Sequence, residues 1–239
     1  MPVISVDLAY KRYTDIGIVT ITRTSRGLDC RFVSPPDFPD PPQPNALAEW
    51  LNCRAEEAQA FTLMLDGPQG WKDPANGLVH SRVCERVLNA PAKTGLCGVV
   101  KPANYLPFVS FSIAVFDALG TLGWKRLAFF PANAPSASHR IVVESLPLSA
   151  WRLLGIPILP AKARAGPHHI SDRLSQLRQL RALALSTDLP THDQLQALVS
   201  GIAAESFSAG EVARIALSGI PPTSASGVWC EGYIMNPVL

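Results

Sequence analysis

Four acidic residues stand where side-chain oxygens can do chemistry: Asp7 in VISVDLAY, Asp66 in FTLMLDGPQGW, Glu144 in RIVVESLP and Asp193 in THDQLQALV. The first three close short apolar runs with the pattern of buried strands, where an unpaired carboxylate is costly. If those strands run parallel in one sheet, their acids gather at its carboxyl edge, where open α/β sheets bind ligands. Oxygen-only donors suit Mg²⁺ or Mn²⁺. Carboxylates that converge on such ions are the machinery of metal-assisted phosphodiester hydrolysis. Asp7, Asp66 and Asp193 are the expected metal ligands, with Glu144 completing the catalytic set as a further ligand or a partner behind them. Taken singly, each acid also reads as a strand-end residue that caps a loop or helix.

The elements that must position these acids follow from periodicity. Residues 3–9, 16–22 and 28–33 are β-rich runs separated by short polar stretches, the pattern of an antiparallel meander. The proline-dense stretch 35–44 is an irregular connector, and Asn45 is the expected N-cap of a helix with Leu47, Trp50, Leu51, Ala55 and Ala58 on one face. A continuous apolar strand at 61–65 ends in Asp66-Gly67-Pro68 and is followed by a short helix at 81–88, a loop at 90–107 and a buried helix at 109–119. A strand at 140–144, a short helix at 151–154, two helices at about 170–185 and 191–207, and an apolar final strand complete the chain.

That order predicts an α/β fold with a mixed five-stranded sheet, order 3-2-1-4-5, helices on both faces and right-handed crossovers. Asp66 then lies roughly 5 Å from Asp7 on the neighbouring strand, and Glu144 roughly 10 Å away. The expected organisation is a single domain over residues 1–239, with an inserted region at about 67–107 and a C-terminal extension at about 208–239.

Composition sets the bounds. A chain of 239 residues with 47% hydrophobic residues supports a substantial core, and a net charge of +2 permits nucleic-acid binding without announcing it. Five scattered cysteines without a CxxC pair fit reduced thiols in a cytoplasm rather than a disulfide framework. No export signal is read at the amino terminus, and the longest apolar stretch, 108–122, is broken by Ser, Asp and Gly, short of the roughly 20 clean residues of a membrane helix. The expectation is a soluble, cytoplasmic protein.

The segments SVDLAY, LDGPQGW, SRVCERVL, VVESLPLSAWRLLGIPILPAK, HDQLQALVSGIAAE and EGYIMNP, in that order, resemble a bacterial family of predicted nucleases with an RNase H-like fold, related to the RuvC and YqgF type. The resemblance covers essentially the whole chain. It implies an RNase H-like fold, a Mg²⁺ or Mn²⁺ cofactor and a nucleic-acid substrate. It places the family's first-strand Asp on Asp7, its Asp-x-Pro turn on Asp66 and Pro68, its Arg-x-Cys-Glu/Asp-Arg segment on Arg82, Cys84, Glu85 and Arg86, and its Glu before a Pro-containing turn on Glu144. The sequence departs from the family at the closing helix, where Gln196-Ala197 replaces an Asp-Ala pair and Asp193 stands three residues earlier, on the same helix face.

Around the acids, Arg82, Glu85 and Arg86 read as an ion-pair cluster beside the site, and His192 as a capping residue or a proton shuttle. Lys162, Arg164 and Arg173, with their basic neighbours, are candidate contacts to a phosphate backbone or simply solvated surface. Trp71 and Trp151 read as core residues, with base stacking as the alternative. The functional expectation is a divalent-metal-dependent nuclease. The alternative is a non-catalytic RNase H-like binding or scaffold protein that has lost part of its metal site, for which Gln196 speaks. A nucleotide phosphohydrolase fits less well, because Tyr10-Lys11-Arg12-Tyr13 offers no glycine-bearing phosphate loop.

Overall fold

The first three strands form a meander because the turns between them are too short for a crossover. β1 (Val3–Asp7), β2 (Gly17–Thr24) and β3 (Gly27–Phe32) pair antiparallel in succession. α1 (Pro44–Ala58) then carries the chain back to β4 (Thr62–Asp66), which lies parallel to β1. The N-cap of α1 is Gln43, not the expected Asn45. Pro44 takes the first helical position, where no backbone N–H is needed.

The structure, a computed structural model, describes residues 1–129 and 139–239. After β4 come α2 (Val83–Val87), a small hairpin of β5 (Lys93–Thr94) and β6 (Val100–Lys101), α3 (Leu106–Thr121), β7 (Lys125–Arg126) and β8 (Ile141–Ser145). The chain ends with α4 (Pro147–Leu153), α5 (Pro167–Leu180), β9 (Leu183–Leu185), α6 (His192–Ser208), β10 (Ile215–Ala225) and β11 (Val228–Pro237).

Among the described residues the main sheet has nine strands, in the order β10-β11-β8-β4-β1-β2-β3-β9 with β7 beside β8. The expected 3-2-1-4-5 arrangement is its centre, β3-β2-β1-β4-β8, but the expected total of five strands is corrected. Residues 183–185, read as the end of a helix, instead pair parallel with β3 and cover its outer edge. The tail, read as one strand, forms the long antiparallel hairpin β10-β11, and β11 joins β8 in parallel at Ile234 and Glu144.

Helices lie on both faces, as the two hydrophobic clusters show. Ile4, Val6, Leu63, Leu65 and Val142 pack with Leu47, Leu51, Val115, Phe116 and Leu119 of α1 and α3. Val3, Val19, Ile21, Met64 and Val143 pack on the other side with Trp151, Leu174, Leu198 and Ile202 of α4, α5 and α6. Ala103–Thr121 is long and apolar enough by length and composition to cross a membrane. Here its Val109, Ile113, Val115, Phe116 and Leu119 are buried within the fold.

α6 approaches the sheet at two glycines. A Cβ on Gly201 would stand 2.6 Å from Ile21 Cδ1 and 2.9 Å from Ser5 Cβ, and one on Gly17 would stand 2.1 Å from the backbone carbonyl of Asp193. Gly17 pairs with Asp7 across β1 and β2. This glycine therefore lets the start of α6 settle directly over the end of β1. Gly17→Ala is expected to destabilise the protein by about 1–3 kcal/mol in urea denaturation, since neither the sheet nor the helix backbone can yield freely. A loss below about 0.5 kcal/mol, the ordinary surface range, would show the contact to be loose.

Candidate active site

Strand register decides which acids meet. Asp7 stands level with Asp66 on β4, and Asp66 is level with Ser145 on β8. Side chains level across neighbouring strands share a face. Asp7 follows Val3 and Ser5, and Asp66 follows Met64, so both carboxyls project from the face covered by α6. They are half-buried and hydrogen-bonded to each other. Across the sheet the row reads Ser145, Asp66, Asp7, Gly17, with the start of α6 seated on Gly17.

Two carboxylates in this position cannot both ionise cheaply. Burial, then the charges of Asp66 and Asp193, hold the Asp7 carboxyl well above the usual carboxylate range. Burial pushes Asp66 up to about 7, with the charge of Glu144 adding to the shift and the hydrogen bond from Asp7 opposing it. Bringing the two carboxyls together thus favours their protonated forms over two bare charges.

Asp193 reaches this pair from the first turn of α6, which begins with the reciprocal cap of Thr191 and Gln194. Its carboxylate receives Lys162 Nζ on Oδ2, and His192 Nδ1 lies 3.0 Å from Oδ1. The other ring nitrogen of His192 lies 3.0 Å from the carbonyl oxygen of Pro160, so this side chain ties the Lys162 loop to the helix. Lys162 Nζ also donates to Asp15 Oδ1 at 2.8 Å, and Arg12 Nε donates to Asp15 Oδ2 at 2.9 Å. These hydrogen bonds and charges hold the Asp15 carboxyl below its ordinary range. Asp15 is the site residue that sequence reasoning missed, because it reads only as a polar turn residue between two β-runs.

Glu144 is placed differently from the other acids. It is level with Leu65, one residue short of Asp66, so the pleat turns it toward the opposite face. There Arg82, only 1% exposed, donates Nη1 to Oε2 at 2.7 Å and Nη2 to Oε1 at 2.6 Å, and the backbone N–H of Gln69 donates to Oε2 at 3.0 Å. Arg82 also donates Nε and Nη2 to Glu85 Oε1, at 3.1 and 3.0 Å, and Glu85 Oε2 accepts the backbone N–H of Thr94 at 2.8 Å. Burial raises the Glu144 carboxyl while Arg82 pulls it back. Arg86, expected in this cluster, is instead exposed. A cleft of about 200 Å³ opens beside Asp66, bordered by Pro68, Arg82, Tyr105, Phe108 and Glu144.

The remaining candidates fall into place around these groups. Gln196, where the family resemblance expected an acid, accepts a hydrogen bond from Trp151 Nε1 at 2.7 Å and so serves packing. Trp71 and Trp151 are buried in the core, as is Cys84, whose thiol is raised by burial and is no nucleophile. Arg164 is exposed beside Lys162, and Arg173 is half-buried on α5. Among the described residues, no three His, Cys, Asp or Glu side chains are arranged so that they could hold a metal ion as they stand.

No protein-family model and no curated protein matches this chain. Among solved structures, it is similar to the Thermus thermophilus RuvC structure at 13% sequence identity, over 88% of this chain and 97% of that one, with a TM-score of 0.41.

Two outcomes follow from the electrostatics. Arg82→Leu strands two buried carboxylates and is expected to cost about 3–5 kcal/mol in urea denaturation, whereas exposed Arg86→Leu changes stability by less than about 0.5 kcal/mol. Equal effects would contradict the assignment of Arg82 as the central cation. For the acid pair, a raised folded-state value means that the native protein holds extra protons between about pH 4 and 7. Its contribution is complete below that window and is lost as pH rises through it. In chelator, Asp66→Asn is therefore expected to gain on the order of 2 kcal/mol relative to the parent chain between pH 4 and pH 8. A pH-independent difference would show that the pair is not strained.

Proposed function

We propose that the protein is a divalent-metal-dependent nuclease that hydrolyses a phosphodiester bond of DNA or RNA, on a sheet of RNase H-like order. The observation that supports this most is the level pair Asp7–Asp66 at the carboxyl edge of adjacent parallel strands, two carboxyls to which, among the described residues, no Lys or Arg is hydrogen-bonded. The donor set fits Mg²⁺ or Mn²⁺, since it is all oxygen and carries the two negative charges such an ion neutralises. When bound, the ion supplies Lewis acidity toward a phosphoryl oxygen and acidifies water.

The chain's own residues then have distinct tasks. Asp7 and Asp66 would hold the ion, and Asp193 acts on Asp7 by its charge, its carboxylate fixed by His192 and Lys162. Arg82 binds both oxygens of Glu144 on the opposite face of the sheet, so Glu144 holds the Gln69 backbone rather than serving as a ligand. Lys162 and exposed Arg164 present positive charge beside the acids, where a phosphate backbone would lie. The cleft beside Asp66, small for a whole ligand, suits one group of a longer polymer.

A second reading, a binding protein that retains the sheet without the chemistry, is favoured by Gln196 being occupied with Trp151. Cleavage assays separate the two. With Mn²⁺ and single-stranded, duplex and branched substrates, Asp7→Asn is expected to lose at least about a hundredfold in rate, the equivalent of a few kcal/mol of transition-state stabilisation. Equal cleavage by parent and variant, or none by either, removes the nuclease reading.

A further inference from the structure

The cluster at the end of β1 contains four carboxyls, Asp7, Asp15, Asp66 and Asp193, together with the cations Arg12 and Lys162. Arg12 forms two bonds to Asp15, at 2.9 and 3.1 Å. Lys162 bridges Asp15 and Asp193. The ammonium does not wander there by chance of a flexible stem alone. The carbonyl of Pro160, two residues before it, is held by His192, which also contacts Asp193, so loop and helix present the cation and its carboxylate as one unit.

Arg12 pairs with Asp15 and Lys162 with Asp193, which leaves Asp7 and Asp66, two negative charges once a bound cation drives off their protons, the complement of a single divalent ion. We propose, building on the metal-dependent reading above, that Lys162 is a resident cation of this site, so that the protein takes one divalent ion at Asp7 and Asp66 and Lys162 fills the place of a second.

The chemistry of an ammonium suits that place. It carries three N–H donors, of which Asp15 and Asp193 take two. The third is left for a phosphate oxygen, and the side chain is 51% exposed, open to such a contact. A two-ion site stabilises the attacking and leaving oxygens with two metals about 3.5–4 Å apart. Here one of those roles passes to a protonated amine, a point charge that needs no external supply. Lys162 is thereby a substrate-contacting residue rather than a general surface contact.

Calorimetric titration of the full chain with Mn²⁺ tests this without any substrate. The parent chain is expected to bind one ion, Lys162→Arg one ion, and Lys162→Met and Lys162→Gln two, because the Asp193 carboxylate, freed of its ammonium partner, becomes a ligand beside Asp7. Lys162 is half-exposed and lies on a loop, so both neutral variants are expected to fold, and circular dichroism before titration confirms it. Two ions in the parent chain, or one ion in both neutral variants, overturns the role of Lys162 and leaves the metal-dependent reading intact. No saturable binding in the parent chain beyond that of Asp7→Asn overturns that reading itself, and Lys162's role with it.

Discussion

Repulsion between Asp7 and Asp66 is the constraint around which this end of the molecule is arranged. Parallel pairing of β1 with β4 in this register leaves the two carboxyls no choice but to face each other under the start of α6. The close approach of that helix at Gly17 and Gly201 limits the water available to them and brings a third acid, Asp193, into the same field. Neighbouring cations pair with Asp15 and Asp193 and leave the central carboxyls to each other.

Glu144 shows how a fourth acid can lie one residue away and do different work. Its carboxylate is the meeting point of the Gln69 turn and Arg82, and Arg82 joins it to Glu85. The same turn is tied to the C-terminal hairpin: Gln69 Nε2 donates to the Tyr233 carbonyl at 2.8 Å, and the Trp71 N–H donates to the Trp229 carbonyl at 2.9 Å. Glu231 in turn accepts the backbone N–H groups of Asp73 and Val83. The segment after β4 and the chain's final hairpin therefore brace each other, and their buried ion network fixes the backbone just beyond Asp66. The two acid systems are coupled through charge, since Glu144 adds to the raised value of Asp66.

Much of this was legible in the sequence, for a physical reason. The meander, the parallel strands ending in Asp66 and Glu144 and the helix starting near Thr191 all carry strong local signals of alternation, apolar runs and helical periodicity. The adjacency of Asp7 and Asp66 followed from strand order alone. What local pattern could not supply was register. A one-residue offset between β4 and β8 separates Glu144 from Asp66, and nothing in RIVVESLP marks whether Glu144 or Ser145 stands level with it. Long-range pairings were equally silent: residues 183–185 are as compatible with a helix end as with an edge strand. Lys162 and Asp15 lie far apart in sequence in unremarkable polar stretches, and only the fold brings them together.

Whether Asp7 and Asp66 share a cation is decisive, and diffraction locates such an ion directly. Crystals grown with Mn²⁺ and measured for anomalous scattering are expected to show a peak between these carboxyls, within roughly 2.0–2.3 Å of an oxygen from each, with their mutual hydrogen bond broken. An anomalous map without that peak, with the two carboxyls still bonded to each other at saturating Mn²⁺, would contradict it.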